Sequence, residues 1–303
     1  MTDAPRMTLI DWIALLALSM LWGGSFFFGK LAVAEIPPLT LVLARVGLAA
    51  MALLVLLRVL GIALPRDPKR WRDFAGMGAL NNLIPFGLIF YGQIEIGAGL
   101  AAVINGMSPF WSALIARGVG VETLPPAKIA GVLVGFTGLA VMIGPAALAG
   151  FDASLIAQLA VVGATISYGC AAVFGRRFRG QPPMVTATGQ LTGSTALILP
   201  FALLIDAPWT LPTPSTAAIS ATIALALVST AWAYILFFRI LASAGATNVL
   251  LVTLLVPVSA MLLGVAFLGE AITSRELAGI AAIAIGIALI DGRVVDRAVK
   301  VVT

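Results

Sequence analysis

Histidine is missing altogether, cysteine occurs once, as Cys170, and only 10% of the 303 residues are charged. Each shortage removes a class of function. Without histidine the commonest metal ligand and general base is gone, which excludes Ser/His triads and argues against zinc sites. A lone cysteine cannot close an intramolecular disulfide. Soluble domains run at about 25% charged and 45–50% apolar residues, whereas the apolar share here is 61%. The chain is composed for lipid.

A membrane-spanning helix takes about 20 largely apolar residues. Hydropathy windows give ten such runs, near 9–29, 38–60, 74–94, 97–117, 127–148, 154–175, 183–205, 217–238, 246–268 and 274–291. Turn and charge signals such as Pro37-Pro38, Pro65-Arg66-Asp67, Pro125-Pro126 and Pro182-Pro183 separate them. Little room is left for a soluble catalytic domain. The first run is too long for a signal peptide and lacks its cleavage site, so it is expected to be an uncleaved helix.

Ten spans put both termini on one side, and the basic residues sort accordingly. Fifteen of the 18, from Arg6 through Arg58, Arg70 and Arg177 to Arg297, fall on the terminal side. Lys30 and Arg275 fall opposite, and Arg45 lies inside the second run. The positive-inside rule then makes both termini cytoplasmic in the cytoplasmic membrane. The net charge of +5 marks topology, and nucleic acid is not an expected partner.

Sliding the chain by 148 residues lays Gly97, Ala98, Pro109, Leu114, Glu122, Gly131, Gly138 and Gly144 on identical residues, from Gly245 to Gly292, without a gap. A shift of 146 lays Trp22, Gly23, Phe28 and Gly29 over Tyr168, Gly169, Phe174 and Gly175. The chain is therefore expected to be a duplication, residues 1–149 and 150–303, in one integrated bundle. Five spans per unit is an odd number, so the second copy enters the bilayer upside down. The expected fold is all-α, ten transmembrane helices in two inverted repeats, the architecture of alternating-access carriers.

Trp22-Gly23-Gly24-Ser25, Pro38, Arg45, Pro109, Glu122 with Gly131 and Gly138, Pro257, Gly269-Glu270, Gly279 and Gly286, in that order and spacing, resemble the drug/metabolite transporter superfamily and its EamA-type permeases. The resemblance covers essentially the whole chain. It implies a cytoplasmic-membrane exporter of small metabolites, often amino acids. Length and aromatic content are similar to the YddG-type aromatic amino-acid exporters. The second repeat departs by placing Gln190 where the first has Arg45.

Polar residues inside apolar runs mark candidate sites. Arg45 costs about 2.5–3.5 kcal/mol near mid-helix on insertion scales. It is read either as a structural or gating residue, bonded to backbone carbonyls or snorkelling outward, or as an anchor for a substrate carboxylate; the structural reading is the favoured one. Asn81 and Asn82 correspond to Ser229 and Thr230 at the 148 shift. Helical spacing puts Asn82, Phe86 and Gln93 on one stripe and Ser229 with Trp232 on another. Substrate contact and interhelical hydrogen bonding are both open for them. Asn105, Ser108 and Ser112 share a face beside Pro109. Trp22 and Tyr168 lie too deep for an aromatic belt and are either cavity walls or packing. Pro109 and Pro257 remove backbone donors in equivalent helices and permit kinks. Gly131/Gly135 and Gly189/Gly193 read as close packing.

Gly24 to Lys30 imitates a phosphate-binding loop, but Leu31 replaces the required Ser or Thr and no strand precedes it. All 13 acidic residues fall in loops or near span ends, leaving no obvious proton relay. The expectation is uncoupled alternating access with a small-molecule substrate and the bilayer as partners, no cofactor, no metal and no obligatory protein partner. Glu95 is the one carboxylate that a shifted helix could bring inward. An intramembrane enzyme would need paired aspartates, an activated serine or metal ligands within spans, so an enzyme is not expected. The alternatives are a broad-specificity drug or organic-cation permease and, behind that, a passive channel.

Overall fold

The structure is a computed structural model describing residues 7–121, 124–143, 152–249 and 251–291. Among these residues it is helical throughout, with no strand. Ten helical rods follow one another: α1 Leu9–Val33, α2 Pro38–Val59, α3 Pro68–Glu95, α4 Ala98–Gly118, α5 Pro126–Ile143, α6 Ala153–Phe178, α7 Pro183–Phe201, α8 Thr216–Ala244, α9 Val252–Leu268 and α10 Ser274–Asp291. α7 continues in a π-helical turn, Ala202–Asp206.

Local chemistry sets these ends. Pro38, Pro68, Pro126 and Pro183 open their helices, where a missing N–H costs nothing. Thr8 and Asp11 form a capping box on α1, and Asp152 and Ser215 cap α6 and α8. Gly269, at φ 66°, ends α9 in the left-handed region that favours glycine. The pseudo phosphate loop, Gly24 to Lys30, is simply part of α1.

Ten spans were expected; by length and composition seven of the described helices are long and apolar enough to cross a membrane, with Pro126–Met142 and Val252–Leu268 shorter apolar helices. Of the remaining three, α5 is described as far as Ile143, α9 is cut short at Gly269, and α10 carries Arg275 and Glu276 in its first turn. Glu122, Gly144, Gly292 and both chain ends, residues 1–6 and 292–303, lie outside the described residues.

The principal helix contacts all join the first five helices to the last five. α5 packs on α10, α1 on α9 and α8, α6 on α4 and α3, α2 on α7 and α8, and α7 on α3. The closest approaches come in mirrored pairs. A Cβ added to Gly131 would sit 2.6 Å from the Gly286 carbonyl oxygen, and one on Gly138 would sit 2.8 Å from that of Gly279. The 148 shift carries Gly131 to Gly279 and Gly138 to Gly286, so each contact is the image of the other. A Cβ on Gly23 would likewise sit 2.6 Å from the Ser259 Cβ, and one on Gly169 2.9 Å from the Trp111 Cβ. The shifts of 146 and 148 interchange these as well. Contacts in which i meets j and j meets i are what a two-fold axis produces.

At the end of the bundle where α1 and α3 finish, three carboxylates hold helix N-termini across the halves. Glu270 accepts from the Ala98 and Gly99 N–H groups of α4 at 2.6 and 3.0 Å. Asp206 accepts from the Thr40 N–H at 2.7 Å and the Thr40 hydroxyl at 2.9 Å on α2. Glu35 accepts from the Ser215 N–H and hydroxyl, both at 2.6 Å, before α8. Negative charge is favourable at these positive helix ends.

Two outcomes follow for thermal unfolding in detergent. Gly279→Leu forces a side chain into the α5 backbone and should cost about 3 kcal/mol, the upper end for overpacking. Glu270→Gln keeps the size but loses the charge-assisted bonds, and should cost about 1–2 kcal/mol. The Ser215 hydroxyl and N–H hold the Glu35 carboxyl below its ordinary range. A folded-state value lowered in this way means that this contact persists above the ordinary carboxylate range and is lost as pH falls through the lowered value. Infrared titration of the carboxylate band, wild type minus Glu35→Gln, should show that delayed protonation.

Candidate substrate site

The polar pairs singled out in α3 and α8 sit where both helices loosen. Ala79–Leu83 and Leu227–Trp232 are π-helical turns, with Asn81 and Asn82 in one and Ser229 and Thr230 in the other. In α3 the cause is local, because Pro85 has no N–H to return to the Asn81 carbonyl. In α8 the Thr230 hydroxyl bonds back to the Leu225 carbonyl at 2.8 Å. Such turns present side chains at angles that a regular helix cannot.

Arg45 of α2 reaches this loosened region. It is 6% exposed, so it neither snorkels to a headgroup nor bonds a backbone carbonyl. Its Nε donates to the Thr230 hydroxyl at 3.0 Å, and its guanidinium carbon lies 3.7 Å from the centre of the Phe86 ring. Phe90 flanks it at 5.9 Å. The phenols of Tyr168 and Tyr234 lie near it, and no carboxylate among the described residues does. A desolvated cation over a ring recovers about 2 kcal/mol, and one charge-assisted hydrogen bond about 1.5–3 kcal/mol. Burying an ion costs several kcal/mol. The four N–H donors of the two terminal nitrogens have no protein partner among the described residues.

On the facing side, Asn81 Nδ2 donates to Gln190 Oε1 at 3.3 Å, and Gln190 Nε2 donates to the Tyr234 hydroxyl at 3.0 Å. Tyr234 accepts there, and Asn81 reaches the same hydroxyl. The 148 shift carries Phe86 to Tyr234 and Phe90 to Phe238, just as Gln190 matches Arg45. Two equivalent clusters thus stand near each other, one charged and one neutral. Rings extend the wall: Tyr234 stacks on Phe238 at 5.9 Å, Phe238 meets Phe237 at 5.4 Å, and Phe237 meets Trp22 at 5.6 Å. The Tyr168 hydroxyl makes no hydrogen bond.

The expected residues therefore divide. Phe86 lies against Arg45 and Tyr168 lies near it, whereas Asn81 joins the Gln190 cluster and Trp22 sits at the far end of the row of rings, against Phe237. Asn82 is fully buried and donates to the Ser194 hydroxyl at 3.1 Å, tying α3 to α7. Gln93 donates to the Phe26 carbonyl at 2.8 Å, tying α3 to α1. Ser229 is buried without a partner. Trp232 is 59% exposed and does not share its face; the π-helical turn winds more loosely than 3.6 residues per turn, which breaks the stripe read from regular spacing. Asn105, with a buried carbonyl oxygen lacking a partner, closes the first half of α4, which breaks at Gly106 and Met107 just before Pro109. Pro257, by contrast, lies within an uninterrupted α9. Glu95 is exposed at the end of α3. Tyr234 was missed from sequence; its signal was its alignment on Phe86.

A cavity of about 190 Å³ between α4, α9 and α10 is lined by Leu100, Val103, Met261 and Ile280 and holds none of these residues. Among the described residues, no group of acidic side chains or cysteine is arranged to hold a metal.

A profile of the EamA-like transporter family matches twice, over residues 10–144 and 155–291. The uncharacterized transporter YoaV of Bacillus subtilis is 24% identical, over 91% of this chain and 94% of its own. A Salmonella typhimurium protein named "Probable amino-acid metabolite efflux pump" is 26% identical, over 91% and 93%. One crystal structure aligns over 97% of this chain and all of its own with a TM-score of 0.67 at 21% identity, a likeness of fold alone. The apolar helices and the doubled match agree: this multi-pass membrane protein belongs to the EamA-like transporter family.

Proposed function

We propose that the protein exports small amphipathic metabolites, foremost amino acids with aromatic or other hydrophobic side chains, across the cytoplasmic membrane. It does so by alternating access. In this reading ten spans form two inverted halves, 1–149 and 150–303, with both termini cytoplasmic, and the site lies between the halves near the midplane. The observation that carries it is the set of mirrored contacts, Gly131 with Gly286 against Gly138 with Gly279. Related halves packed about a two-fold axis can exchange shapes, opening a central site first to one side and then to the other. The name of the Salmonella relative supports the amino-acid assignment. The aromatic wall supports an apolar substrate body, and the few amide, hydroxyl and guanidinium donors support a polar end. The chain acts as a carrier and not as an enzyme.

Asp11 is the one buried carboxylate among the described residues, and it is bound to Thr8 and Ser243 at the start of α1. Transport is accordingly uncoupled from protons. Proteoliposomes should show saturable counterflow of hydrophobic amino acids that needs no imposed pH gradient and is unchanged by Glu95→Gln. Linear, non-saturating flux would indicate a channel. Flux that required the gradient and vanished in Glu95→Gln would refute uncoupled export.

A further inference from the structure

We infer that Arg45, with Tyr168 and Tyr234, forms a carboxylate-binding subsite, so that the substrates are monoanionic or zwitterionic carboxylates with an apolar body, and organic cations are excluded. This deepens the transport reading and rests on it for the word substrate; the binding claim stands on its own geometry. Arg45 spends one donor on Thr230 and lays its face on Phe86. Its four remaining N–H groups have no protein partner among the described residues, on a side chain that is 6% exposed. Their fork matches the two oxygens of a carboxylate. Gln190 donates to the Tyr234 hydroxyl and Asn81 also reaches it, which fixes that hydroxyl beside Arg45. The Tyr168 hydroxyl, also near Arg45, makes no hydrogen bond among the described residues. The cluster is thus rich in donors and contains no carboxylate of its own to answer the charge.

Charge balance narrows the ligand further. Arg45 is the one buried cation among the described residues, so a single negative charge neutralises the site, whereas a phosphate dianion would bring an excess. The inequality of the two clusters then orients the ligand. Its carboxylate faces Arg45 and Phe86, and its apolar body lies along Phe238, Phe237 and Trp22.

Binding to the purified full-length protein in detergent tests this without any flux measurement. Tryptophan fluorescence is titrated with 3-phenylpropanoate, phenylalanine, phenylalaninamide and 2-phenylethylamine. The two carboxylates should quench saturably, with the amide and the amine at least about tenfold weaker. Arg45→Gln should weaken the carboxylates by at least about tenfold and leave the amide unchanged, and Arg45→Lys, a point charge without the fork, should fall between. An amine or amide that binds wild type as tightly as the acids overturns the inference, as does indifference to all four. The wild-type series decides the matter even where an Arg45 variant does not fold. Tight carboxylate binding without any flux would uphold this subsite and sink the transport reading; saturable transport of amines alone would do the reverse.

Discussion

Helices in lipid gain nothing from hiding apolar surface from one another, since the acyl chains are equally apolar. What holds this bundle together is close contact of backbone and small side chains, and it is made where glycine permits it. Gly131 on Gly286, Gly138 on Gly279, Gly23 on Ser259 and Gly169 against Trp111 leave no room for even a methyl group. They also fix which helices are neighbours, and every principal neighbour belongs to the opposite half. Because the contacts occur in mirrored pairs, a geometry available to one half is available in inverted form to the other. The carboxylate clamps supply the contrast. Glu35, Asp206 and Glu270 all tie the halves at one end, so opening that end means breaking charge-assisted bonds to helix N-termini.

Symmetry of backbone does not extend to chemistry at the centre. Equivalent positions hold Arg45 over Phe86 on one side and Gln190 bonded to Tyr234 on the other. A site made of two identical halves would treat both ends of a ligand alike. The proposed site has a charged end at Arg45 and a neutral end at Gln190. The π-helical turns matter here because they turn Asn81 and Thr230 toward partners on α7 and α2.

Much of this was legible in the sequence. Helix starts followed the prolines and capping residues, the break between α3 and α4 fell at Ile96 and Gly97 as their spacing implied, and the glycines read as packing residues do pack. What escaped depended on departures from regular winding. Ser229 and Trp232 share a stripe only if α8 keeps 3.6 residues per turn, and Leu227–Trp232 does not. Asn82 and Gln93 share a stripe with Phe86 by spacing, but spacing cannot tell an amide that meets Ser194 or a backbone carbonyl from one that meets a cavity. Pro109 and Pro257 hold equivalent places at the 148 shift, yet only α4 breaks, where Gly106 stands opposite Leu254 and adds its own freedom. Tyr234 became visible only when Arg45 had been placed, since its partners come from three other helices.

The central claim is that the two ends of the bundle open in opposition. Spin labels on a Cys170→Ser background, at positions 95 and 272 for one end and 66 and 179 for the other, measure it directly by electron–electron double resonance. The account predicts two distance populations for each pair, with substrate widening one pair as it narrows the other. Distances that stay fixed at both ends, or that widen together, would contradict it.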